Sequence, residues 1–309
     1  MRAVVITKPG DLDVLELADR PAREPSAGEV RIAVKAASVN PTDIGLRQRG
    51  GAGDPPWVPG MDAAGVIESV GPDVDRLAVG QEVMAAVSPR RPGGGAQQEL
   101  LVAPAASVVP IPDGASLPEA ATLPMNGLTA MRGLEMLGLG AGETLAVTGG
   151  AGELASYVIP LAKEQGLRVI ADAKPEDEAL VKSFGADVVV PRGEGFADAV
   201  RAAAPGGADA VYDTALLRRE AFPAIRDDGQ IVVVRGWDGN EVEDRGIRVH
   251  PVMVAAVLER TDWLEHLREL ASAGKLKLRV AREYPPEQAA EAQRAMDAGG
   301  LRGRAVIVF

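Results

Sequence analysis

The chain has 309 residues, 46% of them hydrophobic and 25% charged, enough for two domains or one large one with a proper core and too apolar for a disordered chain. A net charge of −11 argues against nucleic acid as a general partner. There is no cysteine, and the two histidines, His250 and His266, stand in no metal-ligand spacing, which excludes disulfides, thiolate nucleophiles and zinc sites built on Cys or His.

The N-terminal "MRAVVITKPG" is a short apolar run cut off by Lys8 and Pro9, too short for a signal sequence and suited to a first strand. No segment is apolar for long enough to span a membrane, so a cytoplasmic protein is expected. Up to about residue 115 the chain reads as short strands broken by Gly and Pro. "EVRIAVKAASV" (29–39) and "AAGVIESVG" (63–71) alternate cleanly, and "GQEVMAAVS" (80–88) follows. A small barrel or sandwich fits this spacing.

The stretch 117–137 is rich in helix signals. From Thr144 strands and helices then alternate: "TLAVT" (144–148), a helix over about 152–165, "RVIAD" (168–172), a helix over 176–184, "DVVV" (187–190), "ADAVYD" (208–213) and "QIVVVRG" (230–236). Buried apolar strands separated by helices are the signature of a doubly wound parallel sheet. A helix over 262–274, a strand, a helix bounded by Pro285–Pro286 and Gly299–Gly300, and the strand "GRAVIVF" close the chain.

"VTGGAGELAS" (147–156) lies between a predicted strand and a predicted helix, the setting of a dinucleotide phosphate loop. Gly149, Gly150 and Gly152 allow a tight turn, the helix N-terminus offers N–H donors and a partial positive charge, and Ala155 can replace a third glycine. Glu153 is the anomaly, because a carboxylate repels a pyrophosphate; pointed to solvent, it would cost little. The alternative is a plain strand-to-helix turn with no ligand. Asp172, about 20 residues on, could hold the ribose of NAD. Lys174 and Arg192 could instead hold the 2′-phosphate of NADP, and spacing alone leaves the two open.

"SVNPTDIGLRQRG" (38–50), "PPWVPGMDAAGVIESVG" (55–71), "VGQEVMA" (79–85) and "PIPDGASLPEAATLPMNGLTAMRGL" (110–134), followed by the phosphate loop, resemble the medium-chain dehydrogenase/reductase superfamily over nearly the whole chain. The resemblance is greatest to its zinc-free, zeta-crystallin-like quinone oxidoreductase branch. It implies an α/β protein with a GroES-like, β-rich catalytic domain over 1–118 completed by about 260–309, and a Rossmann domain with a doubly wound parallel sheet over 119–259. It also implies a homodimer, with "RGIRVHPVMV" (245–254) as the dimer strand. Asn40, Met61 and Met125 stand where zinc-dependent relatives carry catalytic ligands, so no metal is expected. Ala173, not Asp172, stands where NAD-using relatives place their acid. With Lys174 next to it, NADP(H) becomes the expected cofactor and NAD the alternative. Two departures from the family pattern are Glu153 with Ala155 in the loop, and Ala96 where an aromatic is common.

By the same resemblance Asn40 and Thr129 are the catalytic candidates, near the nicotinamide and the substrate carbonyl. Their alternatives are a turn residue before Pro41 and a helix hydroxyl bonded to its own backbone. The residues expected about the cofactor are Asn126, Thr129, Gly149, Gly152, Glu153 and Leu154, with Lys174, Arg192 and Trp237. Trp57, Met61, Met125 and Trp237 could line an apolar substrate pocket or simply fill the core. A structural salt link is expected for Asp43 and Arg47, and a strand-edge place for His250. Without a metal, the fitting substrate is a quinone or an α,β-unsaturated carbonyl compound, already activated for hydride addition. An enoyl reductase acting on a thioester, or a non-catalytic binding protein on a nucleotide fold, are the competing readings.

Overall fold

A computed structural model describes residues 1–237 and 244–309. In chain order its strands and helices begin with β1 (Arg2–Ile6), β2 (Leu15–Asp19), β3 (Glu29–Ser38), α1 (Pro41–Arg49), β4 (Asp62–Val70), β5 (Glu82–Ala86), β6 (Leu100–Pro104) and β7 (Val108–Pro110). Then come α2 (Leu117–Ala120), α3 (Pro124–Leu137), β8 (Thr144–Thr148), α4 (Glu153–Glu164), β9 (Arg168–Ala173), α5 (Glu178–Ser183), β10 (Val188–Pro191) and α6 (Phe196–Ala203). The last are β11 (Ala208–Asp213), β12 (Ile225–Val233), β13 (Arg248–Pro251), α7 (Thr261–Ser272), β14 (Val280–Tyr284), α8 (Ala289–Ala298) and β15 (Arg304–Val308).

The chain forms two compact units, Met1–Met125 with Val257–Phe309, and Asn126–Ala256. In the first, β1 and β2 make a small antiparallel ribbon, and a larger sheet runs β14-β15-β3-β4-β5-β7 with β6 also on β3. The alternation seen in sequence turns Val30, Ile32 and Val34 of β3 into a core with Ile67, Val83, Ala85, Leu101 and Val108. The final strand joins this unit, because β15 pairs antiparallel with β3 at Ala36–Ser38. Residues 119–125, expected in the nucleotide domain, also lie here. The helix α2 packs on β3, β4 and β14, and the Ser38 hydroxyl donates to the Ala121 carbonyl at 2.6 Å. Pro124 then starts α3, which separates the two helices. At the other end the boundary falls at 256/257 rather than 259/260.

The second unit is a parallel sheet in the order β10-β9-β8-β11-β12-β13. This order reverses beside β8, so the loop after β8 opens at the switch point where such sheets bind ligands. Its apolar strands and α6 bury Ile170, Val190, Phe196, Val211 and Ile231. The strand expected at 230–236 begins earlier, at Ile225, and includes the charged Arg226–Asp228. Arg226 is held there by Asp209 at 2.7 Å, and Asp228 takes a positive φ of 57°. None of the described helices is long and apolar enough to cross a membrane.

Candidate functional site

In the first unit a buried polar nest forms where β3 turns into α1. Asn40 caps α1, Pro41 supplies a fixed φ at the first helical position, and Asp43 reaches back to accept the Asn40 backbone N–H at 2.8 Å. Asp43 also accepts the Gly60 N–H at 2.8 Å and the Gln97 side-chain amide at 3.3 Å. Its expected partner Arg47 instead lies 3.6 Å from Asp297 and 4.0 Å from Asp11. A carboxylate that caps its own helix is already committed, which leaves the guanidinium to other acids.

Asp62, the first residue of β4, organises the candidates. Its Oδ2 accepts from Asn40 Nδ2 at 2.6 Å and its Oδ1 from the Met125 backbone N–H at 2.6 Å. The structure thus gathers Asn40, Met61 and Met125 around one carboxyl. Asn40 has no exposed surface, and Met61 and Met125 are 5% and 6% exposed. Burial pushes the Asp62 carboxyl up to about 7 and the Asp43 carboxyl up to about 6, while their hydrogen bonds and the charge of Arg304 oppose that shift. Sequence reading missed Asp62, Gln97 and Arg304. The available signal was an acid heading an apolar strand inside the quoted motif.

Among the described residues no group of three or more His, Cys, Asp and Glu side chains is placed to hold a metal ion. Asn40, Met61 and Met125 offer one amide and two thioethers, a poor donor set for zinc. The residues present do not fit a catalytic zinc, and no step below passes through one.

In the second unit the loop after β8 makes a tight turn into α4. Gly149 has a φ of +67°, open to glycine and strained for other residues, and its carbonyl accepts the Gly152 N–H at 2.8 Å. Gly152 caps α4, whose first turn begins at Glu153. Thr148 is braced by Asp213, its hydroxyl donating to Oδ1 at 2.7 Å, and its carbonyl accepts from the Thr214 hydroxyl at 2.5 Å. Asp213, unremarked in the sequence, also takes the N–H groups of Leu217 and Arg218 and so fixes the loop after β11.

Glu153 does not point to solvent. It is 6% exposed, and its Oε1 accepts the Tyr157 hydroxyl at 2.9 Å, one turn along α4. Leu154, its neighbour, is half-buried. Asp172 is buried too, and its Oδ1 accepts the Gly150 N–H at 2.9 Å, so its carboxylate braces the loop. Burial raises its pKa, against the Gly150 bond and the Arg192 charge. Lys174 and Arg192 are exposed at the ends of β9 and β10, and the Arg192 N–H donates to the Ala173 carbonyl at 3.0 Å. Two cations therefore flank Ala173.

Thr129 and Asn126 are buried on α3, where the Thr129 carbonyl accepts the Tyr212 hydroxyl at 2.6 Å. Trp237 stacks on Phe222 at 6.1 Å between ring centroids, and the Arg219 guanidinium lies over the Trp237 ring, 5.4 Å from its centroid. The Trp57 indole donates to Ala52 and Gly53 in its own loop and packs with Ile6, Val14 and Leu46. Ala96 is fully buried in the strand core of the first unit. His250 sits on the edge strand β13, 2.9 Å from Gln230 Oε1, its pKa lowered by burial and by Arg248.

Two family models match the chain, an alcohol dehydrogenase GroES-like domain over residues 26–113 and a zinc-binding dehydrogenase domain over 184–307. The chloroplastic NADPH-dependent alkenal/one oxidoreductase of Arabidopsis thaliana is 31% identical, with 99% of this chain and 79% of that protein covered. A quinone oxidoreductase of Coxiella burnetii superposes with a TM-score of 0.88 at 26% identity, covering 100% of this chain and 99% of that one. A mycobacterial protein solved with NADPH superposes with a TM-score of 0.89 at 26% identity over 100% of both chains.

Proposed function

Because the chain belongs to the medium-chain dehydrogenase/reductase superfamily, in its quinone oxidoreductase branch, we propose that it reduces quinones or α,β-unsaturated carbonyl compounds with NADPH and without zinc. The observation that carries this reading is the nest of Asn40, Met61 and Met125 around Asp62, which offers hydrogen bonds and apolar surface but no ligand set for a Lewis acid. A substrate conjugated to a carbonyl needs no more than that. The names of the Arabidopsis and Coxiella proteins agree with it.

The loop from Gly149 to Gly152 and the N-terminus of α4 would hold the pyrophosphate, and Lys174 with Arg192 the 2′-phosphate. Bound there, NADPH supplies a hydride to the conjugated carbon. Asn40 hydrogen-bonds the substrate oxygen as negative charge builds on it, and Thr129 positions the nicotinamide. Met61 and Met125 keep water from the reacting carbon, and the proton comes from water. A homodimer formed through the edge strand β13 completes the proposal, supported by Met253, which is 64% exposed just beyond that strand.

The test is Asn40→Ala. Its kcat/KM for enone reduction should fall by roughly 10²-fold while NADPH affinity holds. An unchanged kcat/KM would remove Asn40 from the reaction.

A further inference from the structure

Strand β6 has two faces with different fates. Leu101 and Ala103 enter the core of the first unit, while Leu100 and Val102, on the opposite face, line a cavity of about 180 Å³. Pro21 adds apolar surface, and the polar lining includes Arg20, Arg23 and Gln98. None of the described residues lining it is acidic.

Each of these polar side chains is anchored on backbone carbonyls and keeps bonding capacity in hand. Arg20 donates to the Pro56 carbonyl at 2.9 Å and has no carboxylate partner among the described residues. Arg23 donates to the Pro92 carbonyl at 2.7 Å, and Glu29, 3.9 Å from it, is shared with Arg91 at 3.2 Å. A Cβ at Gly93 would lie 3.1 Å from the Arg23 guanidinium, so a glycine there leaves it room. Gln98 is 2% exposed, and its Nε2 donates to the Gly93 and Gly95 carbonyls at 3.1 Å and 2.7 Å. Those two acceptors fix the amide, and its Oε1 has no hydrogen-bond partner. A buried acceptor is costly to leave unpaired.

We infer that this cavity is a second ligand site, taking a small hydroxycarboxylate. The carboxylate meets the two guanidiniums, a short alkyl chain lies on Leu100 and Val102, and the hydroxyl donates to Gln98 Oε1. Pockets for drug-sized ligands hold roughly 300–1,000 Å³, so the occupant is smaller than those. On a chain of net charge −11, two anchored arginines without an acid in the lining select an anion. The site uses no residue of the Asn40–Asp62 nest and stands whether or not the protein reduces enones.

The experiment is an NMR titration of isotope-labelled protein with 2-hydroxybutyrate, butyrate, butane-1,2-diol and inorganic phosphate. The hydroxyacid should shift the Leu100 and Val102 backbone amides and the Gln98 side-chain amide together, and saturate. The diol, lacking the charge, should bind at least about tenfold more weakly. Butyrate, lacking the hydroxyl, and phosphate, lacking the hydrocarbon, should each bind at least about threefold more weakly. Arg20→Gln and Arg23→Gln should each weaken the hydroxyacid by about tenfold. Butyrate, the diol or phosphate binding as well as the hydroxyacid overturns the proposal, and so does a Gln98 amide that stays still. Those comparisons are made on the wild type, so they decide the matter even if a variant does not fold. Folded arginine variants that bind as tightly as the wild type overturn it too.

Discussion

Glu153 shows how one hydrogen bond can change the meaning of a residue. Its carboxylate sits in the first turn of the helix assigned to the pyrophosphate, but the Tyr157 hydroxyl draws it along α4. We expect Glu153→Gln to leave NADPH affinity within about twofold, because a tied charge repels little. Tyr157→Phe should release the carboxylate and weaken NADPH by roughly three- to tenfold, and the double variant should restore it. Fluorescence titration measures all three, and equal losses in both single variants would contradict the clamp. At the same scale, Lys174→Glu combined with Arg192→Glu should lower the ratio of kcat/KM for NADPH over NADH by at least about tenfold per lost charge pair. A ratio that does not move would place the 2′-phosphate elsewhere. The loop glycines were legible in sequence because they sit between a strand and a helix. The fate of Glu153 was not, since i to i+4 spacing allows Tyr157 to reach it but does not require it.

Elements were most legible where a period governs them. The alternation in β3 and the apolar runs of β8, β9 and β11 follow directly from burial on one face or two. The early start of β12 was hidden because Arg226–Asp228 looks like a loop until Asp209 pairs with Arg226. The return of β15 to β3 left no local pattern, since a register between distant strands leaves none, and only the family resemblance implied that the last segment completes the first domain. Between α3 and β11 the packing is close enough to test. A Cβ at Gly133 would lie 2.3 Å from the Tyr212 hydroxyl, and that ring is fully buried. Gly133→Ala should therefore destabilise the protein by on the order of 1–3 kcal/mol, read from chemical denaturation. A neutral result would mean that α3 shifts freely against the sheet.

For the whole molecule, Asp43 and Asp62 link stability to pH. Burial raises both carboxyls from 3.8, to about 6 and about 7. Between those values and 3.8 the folded chain binds more protons than the unfolded one, so stability falls as pH rises through that window. Denaturation at several pH values should show this fall, on the order of 7 kcal/mol for the two groups together, with a shallower slope in Asp62→Asn. A stability that rises from pH 4 to pH 7 would contradict the buried-acid picture. At its outer edge, Met253→Asp should weaken the proposed dimer by at least about tenfold in sedimentation, and an unchanged dimer would move the interface away from β13.

The most direct test of the central claim is a turnover assay of purified, chelator-treated protein with NADPH and an α,β-unsaturated ketone, with the product identified. The account predicts oxidation of NADPH and saturation of the carbon–carbon double bond with the carbonyl intact, at a rate that added zinc does not raise. Reduction of the carbonyl to an alcohol, activity that requires zinc, or no turnover of any enone or quinone would contradict it.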